Sequence, residues 1–249
     1  MNNLLNYMQL NRHIPILTII NDDLVKTTNF KNPSYVGDPL NAIRIFNDKF
    51  VDELILLDIT SNYKVGPNYN LIADAASECF MPLTYGGKIS NVKQAEKLFK
   101  IGVEKISVNT LLHENPIIVK ELVREFGSSS IVGSIDYINL NSQQYTFHKN
   151  KRIESRYLID FIRTCNDLDL GEILLTCVNK EGTLSGPDFN SLKTINNELD
   201  IPLIYNGGVS SNNDIKKLMS FKISAIAASS FFVYYGPHRA VLIHYPTNI

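Results

Sequence analysis

Two carboxylates stand at the ends of strongly apolar runs, a placement typical of a general acid or base. Asp136 ends the run SIVGSID (130–136), and Asp58 follows LILL within the run 54–59. If these runs are parallel strands, their last residues point toward the face where barrel enzymes carry out their chemistry. A solvated loop carboxylate or a helix cap would give the same pattern. Asp136 and Asp58 are therefore candidates for proton transfer or ligand binding.

Two glycine pairs follow two other apolar runs and predict anion sites. Gly86-Gly87 is followed, at the end of the next run, by Asn109-Thr110, and Gly207-Gly208 by Ser229-Ser230. Glycine lets the backbone approach a phosphate closely, and the N–H groups of a helix start complete such a site. We name these the first cup and the second cup; a ligand with a phosphate at each end would bridge them. Both turns could instead need glycine only for positive φ.

The residue after the first glycine pair differs between the two cups. Lys88 stands where the second cup has Gly208. Its ammonium group would either add positive charge to the first cup or obstruct it.

Four charged residues precede or open apolar runs and define what we call the charge ring: Arg12, Glu53, Lys105 and Glu172. Two cations and two anions at the amino ends of strands could pair with one another and close the bottom of a barrel. Their rearrangement would then admit a small neutral molecule. The alternative is a set of stabilising ion pairs, the usual meaning of charges on that face.

The elements that must position these residues alternate along the chain. Eight apolar runs predict buried strands, at 14–20, 54–59, 81–85, 105–109, 130–136, 172–178, 202–206 and 224–229. Amphipathic segments between them predict helices, at 39–50, 68–79, 91–100, 115–126, 156–168, 187–199 and 211–220. Eight βα units indicate an α/β fold of the closed (β/α)8 TIM-barrel type, with a doubly wound sheet as the alternative. The polar segment 139–155 predicts an inserted hairpin, and the short chain after 236 predicts a stunted last helix.

An internal repeat supports two half-barrels. Residues 81–112 align without a gap on 201–232, and 53–60 on 172–179. Aligning the first apolar run on the fifth sets Thr18 opposite Asp136. A hydroxyl cannot serve as a base near neutral pH without a partner, so a two-carboxylate mechanism across the barrel is broken on one side.

Composition excludes several classes of protein. The 249 residues are 44% hydrophobic and 20% charged, with a net charge of −1, which argues against disorder, a coiled coil and a general affinity for nucleic acid or anionic membranes. Three cysteines without CxxC spacing predict neither disulfides nor a zinc site, and no metal is expected. Without a secretory signal at 1–15 or a long apolar span, we expect one cytoplasmic domain covering 1–249.

The chain resembles HisF, the cyclase subunit of imidazole glycerol phosphate synthase, over essentially its whole length. The resemblance rests on RHIP (12–15), Lys26, GDP (37–39), DELILLDIT (52–60), Gly86-Gly87, KISVNT (105–110), SID (134–136), GEILLT (171–176), EGTLSG (181–186), NGG (206–208) and AASSF (227–231). It implies a barrel without a cofactor that has two phosphate sites for a phosphorylated small-molecule ligand. It also implies a glutaminase docked at the bottom and ammonia passing the charge ring into the core. The matched stretches add further substrate- or phosphate-binding candidates: Lys26, Gly182, Thr183 and Asn206.

One departure bears on the activity. The family uses two catalytic aspartates, of which Asp136 remains while the other position is Thr18, and its Asp-rich turn after strand six reads Asn179-Lys180-Glu181 here. Residues 32–49 and 231–246 are similar to the divergent WbuZ-type branch, which is associated with amidation of surface-polysaccharide sugars. That likeness implies a HisH-like glutaminase and an ATP-dependent sugar amidotransferase as partners. Alternatives are a genuine cyclase of histidine biosynthesis and a non-catalytic scaffold that activates the glutaminase.

Overall fold

The computed structural model describes residues 12–61, 66–149 and 151–246, with the backbone alone over 151–156. The segment in which a secretory signal was not expected lies mostly outside these residues. The strands, in chain order, are β1 Arg12–Ile20, β2 Asp23–Thr28, β3 Lys31–Gly37, β4 Leu54–Asp58, β5 Leu83–Gly86, β6 Lys105–Val108, β7 Ile131–Leu140, β8 Gln143–His148, β9 Lys151–Tyr157, β10 Glu172–Cys177, β11 Leu203–Asn206, β12 Ala225–Ala228, β13 Tyr234–Tyr235 and β14 Ala240–Val241. The helices are α1 Pro39–Asp48, α2 Tyr69–Glu78, α3 Val92–Lys100, α4 Thr110–Glu114, α5 Pro116–Phe126, α6 Leu158–Asn166, α7 Phe189–Ile195, α8 Asn212–Leu218 and α9 Ser230–Val233.

Eight parallel strands close into a barrel. Their order is β1, β4, β5, β6, β7, β10, β11 and β12, and β12 pairs again with β1, with Arg12 opposite Ala225. This closure confirms the (β/α)8 prediction and makes the open, doubly wound alternative wrong.

The two half-barrels repeat each other closely. Strands β5 and β11 begin and end at positions that the sequence alignment equates, and so do β6 and β12. In each half, the first strand continues into an antiparallel hairpin: β2–β3 after β1, which we call the first hairpin, and β8–β9 after β7, the second hairpin. The second hairpin was predicted from its sequence. The first was not, and it is the main element that sequence patterning missed.

Turn chemistry explains the first hairpin. Asn21 and Asp22 adopt positive φ between β1 and β2, and Asn29 and Phe30 do so between β2 and β3. Asparagine and aspartate tolerate this conformation better than most residues. The strands themselves are short and polar, and β3 is largely exposed, so an apolar pattern could not reveal them.

The helices cover the outside of the barrel and start where their sequence signals indicate. Asp38 caps α1 by accepting from the backbone N–H of Asn41 at 2.8 Å, with Pro39 in the first turn. The last helix, α9, has four residues and gives way to the β13–β14 hairpin, in agreement with the predicted stunted end. No helix in the described part of the chain is long and apolar enough to cross a bilayer.

The barrel lumen is filled by aliphatic side chains that form a cluster separate from the larger core beneath the helices. Its members are Ile14, Ile16, Ile55, Val132, Leu174, Ile204, Ala225 and Ala227, each at most 1% exposed. Below this cluster, at the amino ends of the strands, lie the charged residues, and above it a polar cavity opens. The fold thus arranges charge, hydrocarbon and polar cavity in that order along one axis.

Candidate functional site

A cavity of about 660 Å³ opens at the carboxyl ends of the barrel strands. It brings together nine residues that the sequence nominated: Thr18, Asp58, Gly86, Gly87, Asn109, Thr110, Asp136, Asn206 and Ser229. Both halves of the repeat contribute, so the candidate site spans the barrel mouth.

Asp136 lies on β7 at the floor of this cavity. Its carboxylate accepts from Asn109 Nδ2 at 3.0 Å and is also hydrogen-bonded to Thr176. Burial, followed by the nearby charge of Glu181, raises the pKa of Asp136 to about 7, although the two hydrogen bonds act in the opposite direction. A carboxyl group poised near neutrality can take up or release a proton under ordinary conditions.

Thr18 occupies the matching place in the first half-barrel. It lies opposite Leu57 in the β1–β4 pair, as Asp136 lies opposite Thr176 in the β7–β10 pair. Its hydroxyl donates to the carbonyl oxygen of Val25 in the first hairpin. The side chain is therefore held by the backbone, and it supplies no second carboxylate.

A lysine and a glutamate lie buried between the first hairpin and the barrel. Lys26 donates from Nζ to the Ile16 carbonyl oxygen at 2.7 Å and to Ser229 Oγ. Burial lowers the pKa of Lys26 to about 7, partly countered by the charge of Glu181. Lys26 does not line the cavity, whereas Glu181 does and accepts from Thr27 Oγ1 at 3.1 Å. Lys26 thus acts on the site through Ser229.

The first cup is closed in part by an ion pair. Lys88 Nζ lies 2.9 Å from Asp58 Oδ2, and the Lys88 backbone has a positive φ of 58°. Gly87 is required here because a Cβ atom at this position would lie 2.3 Å from the Asp58 carbonyl oxygen. Lys88 is thus paired with Asp58 at the first cup.

The second cup surrounds a much smaller cavity of about 10 Å³. It is lined by predicted residues from three loops: Gly182, Asn206, Gly207, Gly208, Ser229 and Ser230. Gly182 lets the loop after β10 approach the first hairpin, since a Cβ there would lie 2.0 Å from the Thr27 carbonyl oxygen. Ser230 Oγ is buried and has no hydrogen-bond partner among the described residues. Thr183 lies outside both cavities, and its hydroxyl donates to the Lys180 carbonyl oxygen at 2.8 Å.

The charge ring closes the opposite end of the barrel as an alternating set of ion pairs. Arg12 contacts Glu53 at 2.5 Å and also contacts Glu172, while Lys105 contacts Glu53 at 3.0 Å and Glu172 at 2.7 Å. Thr84 donates a further hydrogen bond to Glu53 at 3.2 Å. Each charge therefore has two partners of opposite sign, directly beneath the aliphatic lumen.

Several residues of the cavity escaped the sequence reasoning. Thr27 depends on the first hairpin, which was not predicted, while Thr176 and Ser134 are inward-facing hydroxyls near the ends of their strands. The signal that could have found them is the two-residue alternation along β7 and β10, which puts Ser134 and Asp136 on one side. Glu181 was noted from the sequence only as part of the turn after the sixth barrel strand, where the sequence departs from the pattern of the family it resembles.

Comparisons of the sequence with known proteins identify a family. The profile described as "Histidine biosynthesis protein" matches residues 12–238. A Pseudomonas aeruginosa protein provisionally named imidazole glycerol phosphate synthase subunit hisF2 is 44% identical, over 94% of this chain and 95% of its own. A Leptospira borgpetersenii protein provisionally named subunit HisF is 41% identical over 95% of each chain, and the Dictyoglomus thermophilum imidazole glycerol phosphate synthase subunit HisF is 36% identical over 89% of each. The chain therefore belongs to the histidine biosynthesis protein family, among its HisF-like barrels.

Proposed function

We propose that this barrel conducts ammonia from a HisH-like glutaminase to a site of amidation, as the HisF-like subunit of a glutamine amidotransferase system. The observation that carries the proposal is the axial order of its parts: charge ring, aliphatic lumen and polar cavity. In this proposal, ammonia enters past the ring, crosses the lumen as the aliphatic side chains that fill it move aside, and leaves at the cavity beside Asp136.

The charge ring suits the entrance because its bonds can be exchanged. Lys105 bridges Glu53 and Glu172, and Arg12 bridges the same two carboxylates from the other side. If Lys105 swings out, both carboxylates keep one partner in Arg12, so opening does not leave a buried charge unpaired. A docked glutaminase would supply the contacts that favour the open arrangement.

The lumen favours the passage of a neutral molecule. Its aliphatic lining holds few groups that could protonate ammonia or stabilise ammonium, so the molecule crosses as a nucleophile. Hydroxyls of Ser107, Ser134 and Thr176 line the cavity above the lumen, and Ser107 Oγ has no hydrogen-bond partner among the described residues. That buried hydroxyl is free to hydrogen-bond ammonia as it reaches the cavity.

The cavity is better suited to delivering ammonia than to catalysing the imidazole-forming cyclisation. The first half-barrel presents Thr18, whose hydroxyl is held by Val25, and only Asp136 supplies a carboxylate from the equivalent pair of positions. The likeness of 32–49 and 231–246 to the WbuZ-type branch supports a nucleotide-linked surface-polysaccharide sugar as the recipient. An ATP-dependent sugar amidotransferase would activate its N-acetyl group, and ammonia would convert it to an acetamidino group.

The test reconstitutes the chain with a HisH-like glutaminase and the sugar amidotransferase. We expect acetamidino sugar to form with glutamine, and Lys105→Met to lower the product formed per glutamine hydrolysed. Lys100→Met is the matched control, since Lys100 pairs with Glu96 on the exposed face of α3. If Lys105→Met leaves the product formed per glutamine hydrolysed unchanged, the charge ring is not the entrance for ammonia. Full activation of the glutaminase without any transfer of its nitrogen would support the scaffold alternative.

The second candidate is a genuine cyclase, favoured by the raised pKa of Asp136 in a cavity rimmed by two cups. Incubating the protein with the phosphoribosyl-formimino substrate of the cyclase and an ammonium salt decides between them. Formation of the imidazole product would overturn the amidation proposal.

A further inference from the structure

A histidine of the second hairpin lies directly behind Asp136. His148 Nδ1 is 3.2 Å from Asn109 Oδ1, and Asn109 Nδ2 is 3.0 Å from Asp136 Oδ2. The His148 side chain is 9% exposed and does not line the cavity. Two hydrogen bonds thus connect this ring to the carboxylate at the cavity floor.

The orientation of the Asn109 amide follows from its neighbours. Asn109 Nδ2 lies 3.1 Å from the Ser134 carbonyl oxygen, which can only accept a hydrogen bond. The amide nitrogen must therefore face Ser134 and Asp136, and the amide oxygen must face His148. An amide oxygen is an acceptor, so the proton of this bond resides on His148 Nδ1.

The other ring nitrogen faces an acceptor as well. His148 Nε2 lies 3.2 Å from Glu114 Oε1. Hydrogen bonds from Lys149 and then from His148 hold the pKa of Glu114 below its usual value. Glu114 Oε1 can accept a hydrogen bond from Nε2 when that nitrogen carries a proton. His113 stacks on the ring with centroids 4.5 Å apart, which fixes its plane.

The repeat places Lys26 and His148 at equivalent positions. Val25 pairs with Thr18 and Phe147 with Asp136, so Lys26 and His148 are the next residues of the two hairpins. Lys26 donates to Ser229 at the end of β12, and His148 contacts Asn109 at the end of β6, which is the repeat counterpart of β12. Each hairpin thus uses a nitrogen-bearing side chain to hold the polar residue that ends a neighbouring strand.

We propose that His148 is a positioning residue of the candidate site: its Nδ1–H fixes the amide of Asn109, which in turn holds the Asp136 carboxylate. This inference extends the proposed function and rests on it for the role of Asp136. Losing the Nδ1 donor removes one of the contacts that hold the amide in this orientation and leaves the Ser134 carbonyl oxygen to hold it. Asn109 Nδ2 would then donate less firmly to the ionised form of Asp136, which becomes less favourable.

The test measures protonation in the isolated full chain. Nitrogen-15 NMR of the histidine rings should show a proton on Nδ1 of His148, and carboxyl carbon-13 NMR should follow the titration of Asp136. His148→Gln leaves a donor near Nε2 only, whereas His148→Asn leaves one near Nδ1 only. We expect His148→Gln to raise the pKa of Asp136 by about one, and His148→Asn to keep it near the wild-type value. The exposed His238→Leu, in the β13–β14 turn, is the control that should change nothing.

Two results would overturn the proposal. One is an unprotonated Nδ1 on His148 in the wild-type protein, an observation that needs no variant. The other is an equal Asp136 pKa in His148→Gln and His148→Asn. Because neither measurement uses a glutaminase or a sugar, failure of the amidation assay would leave this result standing, and the reverse also holds.

Discussion

The Thr18 hydroxyl donates a hydrogen bond to the carbonyl oxygen of Val25, its direct partner across the β1–β2 pair. Both residues are buried. Thr18, which occupies the place of Asp136 in the other half-barrel, is thus part of the contact between the barrel and the first hairpin.

Replacing Thr18 by valine should therefore destabilise the protein. The change keeps the shape of the side chain but leaves the Val25 carbonyl oxygen buried without that donor, which costs about 1–3 kcal/mol. Urea unfolding of Thr18→Val and Thr18→Ser measures the effect, since serine keeps the hydroxyl. Equal unfolding free energies for valine and wild type would show that the bond contributes nothing.

The charge ring should make stability depend on acidity. Burial pushes the pKa of Glu172 upward, but hydrogen bonds from Arg12 and Lys105 outweigh burial and hold the pKa below its ordinary 4.5. The unfolded chain thus takes up this proton more readily than the folded protein. The contribution of Glu172 to stability is complete above pH 4.5 and is lost as the pH falls through the lower, folded value.

Lys105→Met should weaken that dependence. With one of its two cations gone, Glu172 has a pKa closer to 4.5, so unfolding free energy falls less steeply below that pH. At pH 7 the variant should be roughly 1–3 kcal/mol less stable than wild type. Denaturation midpoints measured across the acid range test both effects. Lys100→Met should follow the wild-type curve, and an acid slope shared by all three proteins would contradict the prediction.

Sequence patterning predicted the barrel because buried parallel strands are continuous apolar runs, as in LILLD of β4 and EILLTC of β10. It predicted Asp136, the cups and the charge ring because those residues flank such runs. It missed the first hairpin, and with it Thr27 and the hydrogen bond of Thr18, because polar strands set by asparagine turns carry no apolar signal. It also missed His148, whose role depends on a contact between distant parts of the chain.

Asp136→Asn should stabilise the folded protein at mildly alkaline pH. Burial raises the pKa of Asp136 from 3.8 to about 7, so across that interval the folded protein keeps a proton that the unfolded chain releases. Stability from this group therefore decreases as the pH rises from 3.8 to 7 and stays low above it. Lys26 also titrates near 7, but it is present in both proteins and cancels in the comparison.

The measurement is thermal unfolding of wild type and Asp136→Asn at two pH values. At pH 8 the variant should melt about 2–4 °C higher, the change that about 1 kcal/mol produces in a domain of this size. Well below pH 3.8 the two proteins should coincide, because Asp136 is then neutral in both states. A difference that persists in acid would mean that the asparagine acts through packing and not through charge.

Ser230→Ala should separate ligand binding from stability at the second cup. The Ser230 hydroxyl is buried without a partner among the described residues, so its removal leaves no protein group unpaired and should keep or slightly increase the unfolding free energy. If the cup binds phosphate, this hydroxyl becomes a donor to the anion, and its loss should weaken the binding of inorganic phosphate about tenfold.

Ser224→Ala is the opposite case, because Ser224 Oγ donates to the Leu203 carbonyl oxygen at 2.9 Å on the other rim. That variant should lose stability and keep its phosphate affinity, as calorimetry with inorganic phosphate and urea unfolding can establish. Identical phosphate affinities for wild type and Ser230→Ala would mean that the second cup is a tight turn built around glycine and not an anion site.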